Sequence, residues 1–229
     1  MAKRYSRELY QNNTAYTVRK FESRNDWLIG RTTGIGGSDA SAVLGENPWK
    51  SNLDLWEQKA FGRSAGDISN NERVQYGNDC EDPLRRIYQA KRKNMEVNYQ
   101  PDTILISNEH PEMLYSPDGL LKEIGTGRNG ILEIKTGSIL RTLDREKWRD
   151  QIPMNYYIQV LHGLNVTGFD FIELIAELTY NENSSQVRIY HIEREEVRED
   201  LQMIREEILE FWNAYVIPKR EPPLKLPRL

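Results

Sequence analysis

The sequence predicts an α/β (α+β) fold, a central mixed sheet flanked by helices, and three observations carry that prediction. Short β-prone runs fill the middle of the chain, at 103–107, 113–115, 119–124 and 130–135. Helical periodicity precedes and follows them, and a helical stretch around 154–166 separates them from two more strands at 169–178 and 186–192. Such an order of helices, a mostly antiparallel strand run with an inserted helix, then strands and a helix is met by a sheet with helices packed on it.

Each element has a local reason. Residues 1–25 are polar and lack periodicity, so they are expected to form an N-terminal arm. Trp27 to Arg31 leads into the Gly-rich turn TTGIGGSDA. Ser38 or Asp39 then caps a short helix through Leu44, stopped by Gly45. Pro48-Trp49 reads as a turn, and Leu53, Leu55, Trp56 and Ala60 mark a second helix ending at Gly62. Residues 63–71 read as a flexible loop. A third helix is expected over 72–92, where Cys80, Leu84, Ile87 and Tyr88 share one face. Pro83 there implies a first turn or a kink. GTGRNG at 125–130 turns one strand into the next, and NENSSQ does the same at 181–186. Val197, Leu201, Ile204, Ile208, Phe211 and Tyr215 repeat at three- and four-residue steps, an amphipathic helix expected to pack on the core. The tail 218–229 is Pro-rich, basic and expected to be extended. The main domain is placed at 26–217.

Composition excludes several classes. Five Trp, twelve Tyr and regular apolar periodicity argue against disorder. No stretch approaches the ~20 apolar residues that a membrane span needs, and the polar first twenty residues do not read as a secretory signal. A single Cys80 cannot form an internal disulfide or a cysteine-based metal site. A reducing, cytoplasmic setting follows as an expectation. The formal charge of −4 is weakly against a nucleic-acid partner, but it is uneven. Residues 1–24 carry six basic and two acidic side chains, 85–93 five basic and none acidic, and 193–210 eight acidic and three basic. Local basic surfaces can serve a polyanion, and solvated helix faces are the plainer reading.

The chemistry concentrates in Ser116-Pro117-Asp118-Gly119-Leu120 and Ile131-Leu132-Glu133-Ile134-Lys135. A hairpin symmetric about its turn pairs Asp118 with Lys135 and Leu120 with Glu133. Asp118, Glu133 and Lys135 then share one face at one end, and Leu132 and Ile134 point into a core on the other. A one-residue slip would break the cluster. Two carboxylates are hard ligands suited to Mg²⁺, and a lysine beside them can stabilise charge in a phosphoryl-transfer transition state. A salt bridge on a polar sheet face is the alternative.

SPDGL followed by GILEIK resembles the PD-(D/E)xK nuclease motif. In particular, the chain resembles the lambda exonuclease / YqaJ-type viral recombinase nucleases over roughly residues 27–192. Five blocks stand in that family's order: RTTGIGGSDASAVLG with NPW, LWEQKAFG, YGNDCEDPLRRIY, SPDG…LEIK, and IPMNYYIQVLHGLNVTG. The resemblance implies a restriction-endonuclease-like core with Mg²⁺ as cofactor, Mn²⁺ substituting. Asp118, Glu133 and the main-chain carbonyl of Ile134 become metal ligands and Lys135 the catalytic lysine. Glu81 becomes a further carboxylate near the metal; without the family it is equally a helix-start acid. Gln159 matches the glutamine that approaches the active site. Other branches place Tyr four residues after it, where this chain has Gly163, which puts a direct role for Gln159 in doubt. His162 is expected to be packed or at the surface rather than a ligand. Arg31 and Ser38 match residues around the 5′-phosphate of the cut strand, with Asp39 a helix cap beside them. Trp49 is expected in the core, with a wedge against DNA bases as the alternative. The activity implied is Mg²⁺-dependent 5′→3′ degradation of double-stranded DNA from its ends, leaving 3′ single strands for a RecT-type annealing protein. A ring-shaped homotrimer in the cytoplasm of a phage's bacterial host is implied as well. The rivals are a structure-dependent or restriction-like endonuclease and a non-catalytic DNA-binding protein on the same fold.

Overall fold

The computed structural model describes residues 8–63, 71–140, 142–181 and 184–226. The loop expected at 63–71 and the middle of the turn at 181–186 fall largely outside them. The strands are β1 (Tyr16–Lys20), β2 (Met95–Asn98), β3 (Thr103–Ser107), β4 (Leu114–Tyr115), β5 (Gly119–Glu123), β6 (Asn129–Ser138), β7 (Phe171–Asn181) and β8 (Ser184–Glu193). The helices are α1 (Arg24–Gly30), α2 (Gly37–Val43), α3 (Asn52–Phe61), α4 (Glu72–Lys91), α5 (Thr142–Lys147), α6 (Met154–Thr167) and α7 (Arg198–Phe211).

Five strands form a mixed sheet in the order β2-β5-β6-β7-β8, and β1-β3-β4 form a small second sheet. Only β6 and β7 run parallel in the large sheet. A parallel pair needs a long crossover, and α5 and α6 supply it. Both sheet faces are covered. Alternate residues of β6 separate accordingly: Ile131 packs with Ile158, Leu161 and Leu164 of α6, whereas Leu132 and Ile134 pack with Leu84 and Tyr88 of α4. Glu133 therefore points into a buried layer rather than onto a polar sheet face, and only 2% of it is exposed.

The hairpin closes differently from the symmetric expectation. Gly119 pairs with Leu132, Leu120 with Ile131 and Lys122 with Asn129. Glu123 N donates to Arg128 O (2.9 Å) and Gly127 N to Glu123 O (2.9 Å), with Gly125 and Gly127 both at positive φ. The turn is thus centred one position earlier, and the register moves by two residues. An even slip leaves each side chain on its face, so Asp118 now stands opposite Glu133 instead of Lys135.

Other expectations are corrected as well. Tyr16 of β1 is fully buried and its hydroxyl donates to Leu9 O (2.6 Å), which ties part of the expected polar arm into the core. Pro83 lies well inside α4, past its first turn, and Ile87 is exposed while Leu84 and Tyr88 carry the packing. Trp49 is 75% exposed. Asn47 Oδ1 accepts from the main-chain N–H groups of Trp49 and Lys50 (2.9 and 3.0 Å), a tight turn that throws the indole outward. Of the tail, residues 218–219 complete a turn and 221–226 run beside α3, where Asn52 Nδ2 donates to Pro223 O (2.8 Å) and Lys225 N donates to Asn52 Oδ1 (3.0 Å).

Candidate active site

One cavity of about 270 Å³ is lined by Arg31, Ser38, Glu81, Asp118, Glu133, Lys135 and Gln159. The candidate side chains, scattered over four of the five sequence blocks, thus meet in space. Ile134 is the exception by design of the strand: its side chain lies in the α4 layer and only its main chain reaches the site.

The strand wall is built by β5, β6 and α6. Glu133 accepts from Lys135 Nζ (2.6 Å), from the Tyr115 hydroxyl (2.7 Å) and from Gln159 Nε2. Asp118 Oδ2 accepts from Ile134 N (2.8 Å), and its carbonyl accepts from Arg85 Nε (3.0 Å). Burial first, and the Glu133 carboxylate second, push the Asp118 carboxyl well above the ordinary carboxylate range, although Lys135 opposes them. Burial would lower the Lys135 ammonium, but Glu133 and Asp118 reverse this and hold it above the usual lysine value. Burial also raises Glu81, against the pull of Arg85 and Lys135.

The loop wall is built by the turn between α1 and α2, with α3 behind it. Arg31 Nη2 donates to Ser38 Oγ (3.0 Å), and the guanidinium lies over the Trp27 ring (4.7 Å to its centroid). The N-cap position falls to Gly36 rather than to Ser38 or Asp39; Asp39 is the third residue of α2, and its Oδ2 accepts from Gly36 N (3.2 Å). It also pairs with Lys50 (2.6 Å) and Lys59 (2.9 Å). Lys59 Nζ donates in addition to Arg31 O (2.9 Å), and Asn47 Nδ2 to Ser38 O (3.1 Å). The main chain behind Arg31 and behind Ser38 is therefore held by side chains from outside the loop. Burial opposes ionisation of Asp39, but Lys59, Lys50 and Arg31 outweigh it and keep its carboxyl far below the ordinary range.

Sequence reasoning passed over Tyr115, Arg85 and Lys59. Tyr115 explains the departure at Gly163: a Cβ there would lie 2.6 Å from Tyr115 Cζ. The phenol that contacts Glu133 comes from β4, and α6 must carry glycine to admit it. Arg85 was hidden in the basic run 85–93, which does not form one cationic face. Arg86 pairs with Asp82 (2.7 Å) and Arg92 with Glu173 (2.9 Å). His162 is fully buried, with Nε2 donating to Leu114 O (2.8 Å), so it is a packed histidine.

The donor set suits a hard divalent cation. Asp118, Glu133 and Glu81 gather their carboxylates on one side of the cavity, with Lys135 turned to Glu133, a grouping that a cation relieves. Glu81 shares the cavity, yet no three His, Cys, Asp or Glu side chains among the described residues form a ready cage. Two carboxylates suffice for Mg²⁺, which keeps several of its waters.

The sequence profile of the YqaJ-like viral recombinase domain matches residues 26–170. Over 203 residues the chain is 33% identical to the uncharacterized protein YqaJ of Bacillus subtilis (strain 168), covering 88% of this chain and 59% of that protein. The chain thus spans about three-fifths of that relative's length. Its fold is similar to the crystal structure of an alkaline exonuclease, LHK-Exo, from Laribacter hongkongensis (TM-score 0.66, 19% identity, 86% of this chain and 94% of that one). The dAMP complex of LHK-Exo aligns comparably (TM-score 0.64, 19% identity, the same coverage of both chains). At that identity the likeness speaks for the fold alone, a mixed sheet flanked by helices.

Proposed function

The chain belongs to the YqaJ-like viral recombinase family, and from that premise we propose that it is a Mg²⁺-dependent deoxyribonuclease degrading double-stranded DNA from its ends, 5′→3′. One observation carries this reading: a carboxylate pair with a lysine and an arginine–serine pair open onto the same cavity. The first arrangement suits phosphodiester hydrolysis and the second suits a terminal phosphate.

Asp118, Glu133 and the Ile134 carbonyl would hold Mg²⁺ or a substituting Mn²⁺, with Glu81 adding negative charge nearby. When bound, the cation lowers the pKa of water and neutralises charge on the transferring phosphoryl group. Lys135 stays an ammonium at neutral pH because of its two carboxylate neighbours, so it acts by orienting water and stabilising negative charge rather than as a base. Tyr115 and Gln159 fix the Glu133 carboxylate from two sides. Arg31, already resting on Trp27 and Ser38, offers a planar fork that can take a phosphate through two parallel N–H···O bonds. The family further supports a ring-shaped homotrimer and hand-over of the 3′ strand to a RecT-type annealing protein.

The test uses linear and closed circular duplex DNA with Mg²⁺, the linear form carrying 5′-phosphate or 5′-hydroxyl ends. Linear DNA should be degraded and the circle spared, with the phosphate end preferred on the order of tenfold. Arg31→Ala should remove that preference. Cutting of the circle would point to an endonuclease instead.

A further inference from the structure

We propose that Tyr99 is a stacking platform for a nucleobase at the reacting end of the DNA strand, a subsite apart from Arg31 and Ser38. This deepens the nuclease reading above and rests on it for the identity of the ligand. Three aromatic side chains line the cavity: Trp27, Tyr115 and Tyr99. Trp27 and Tyr115 are buried, at 6% and 1% exposure. Trp27 is overlaid by the guanidinium groups of Arg24 (3.8 Å) and Arg31 (4.7 Å). Tyr115 packs against Gly163 and spends its hydroxyl on Glu133. Tyr99, just after the edge strand β2, is 41% exposed.

The Tyr99 ring is also held in place. The Arg85 guanidinium lies 3.8 Å from its centroid. Arg85 is fixed in turn by Nε donating to Asp118 O and by Asp82 (3.4 Å), and its Nη2 is a buried donor with no partner among the described residues. The ring is therefore connected through one rigid side chain to the main chain of the proposed catalytic aspartate. An aromatic face at a set position, in a cavity otherwise lined mostly by charged and polar groups, is matched by the π-face of a base. Every base has such a face, so the contact tolerates any sequence.

The experiment compares 5′-phosphorylated linear duplexes whose degraded strand begins with an ordinary or with an abasic nucleotide. Wild type should act on the order of tenfold more slowly on the abasic end. Tyr99→Leu should be slow on both and no longer distinguish them, while Tyr99→Phe and Tyr99→Trp should keep the distinction. A wild type indifferent to the missing base, or a Tyr99→Leu enzyme that still discriminates, overturns the platform. A second measurement needs no hydrolysis. With EDTA present, 2-aminopurine at the strand end should be quenched by wild type and by Tyr99→Trp but not by Tyr99→Leu, each first shown folded by its melting temperature. A wild type that hydrolyses both ends at the same rate refutes the platform alone. Absence of hydrolysis with quenching intact refutes the nuclease reading and keeps the base contact.

Discussion

Two aspartates, Asp39 buried and Asp118 half-buried, stand in the two walls of one cavity, and their carboxyl groups are driven in opposite directions. Asp39 lies between Lys50 and Lys59 and accepts from Gly36 N, and it stays ionised far into acid. Asp118 meets burial and the Glu133 carboxylate, and its proton is held far longer than a carboxyl normally keeps one. Desolvation opposes ionisation of both, so the sign of the neighbouring charge decides. The difference teaches which charge each wall gathers. Around Asp39 three cations, Lys59, Lys50 and Arg31, share one carboxylate, and the product is a braced loop that presents Arg31 and Ser38. Around Asp118 three carboxylates gather, Lys135 turns its ammonium to Glu133, and Arg85 reaches only the Asp118 carbonyl. Such a cluster persists where something outside the chain balances it, and functional sites are where such perturbed groups gather.

The sharpest way to break this comparison is to neutralise each aspartate. Asp118→Asn should lower hydrolysis on the order of 10²-fold or more, while the metal-free protein melts no lower than wild type, because the amide replaces a carboxyl that desolvation and Glu133 already favour in its neutral form. Lys135→Ala should lose activity to a similar degree. Purified, folded variants with near-wild-type rates would remove both residues from the catalytic centre.

Asp39→Ala should do the reverse. Its removal leaves the Lys59 ammonium, with 6% of the side chain exposed, without its anion. Breaking a buried pair from one side costs about 3–5 kcal/mol, to be read from urea unfolding. Combining it with Lys59→Met should return a large part of that loss, because replacing both charges by apolar groups is often near neutral. A loss below about 1 kcal/mol in the single variant would mean that the pair is solvated and the loop wall is not braced by charge.

Much of the strand wall was legible in the sequence because its logic is periodic. The alternation that places Asp118, Glu133 and Lys135 on one face survives the change of register, since that change is even. The family blocks placed Arg31, Ser38, Glu81 and Gln159, and all four reach the cavity. Contacts set by tertiary packing alone were not legible. Lys59 reads as an ordinary helix lysine until α3 is laid behind the loop, and Tyr115 as a β-prone residue until Gly163 makes room for its ring. β1 and β2 are only five and four residues long, too short for alternation to stand out against polar surroundings. Trp49 was misplaced because hydrophobicity argues for burial and says nothing of a turn that Asn47 closes.

His162 sharpens the comparison at its seam. It rises from α6 and donates to Leu114 O, while Leu114 N donates to Ile35 O (2.9 Å) on the loop side, so one imidazole sits where the two walls join. Burial lowers its pKa to about 4, and the bond to Leu114 only partly opposes this. Protonation would add a second N–H at Nδ1, which has no hydrogen-bond partner among the described residues. The folded state therefore keeps the ring neutral, whereas the unfolded chain takes up a proton near pH ~6.5. The stability tied to the neutral ring is complete above that value and is lost as pH falls towards the folded-state pKa. The loss reaches about 3 kcal/mol at 1.36 kcal/mol per unit. His162→Gln keeps an N–H for Leu114 O and cannot titrate. Its unfolding free energy should fall less than that of wild type between pH ~6.5 and ~4, and run parallel to it above pH 7. Parallel profiles over the whole range would mean that the imidazole reaches water when charged, and that the seam between the walls opens more readily than its burial implies.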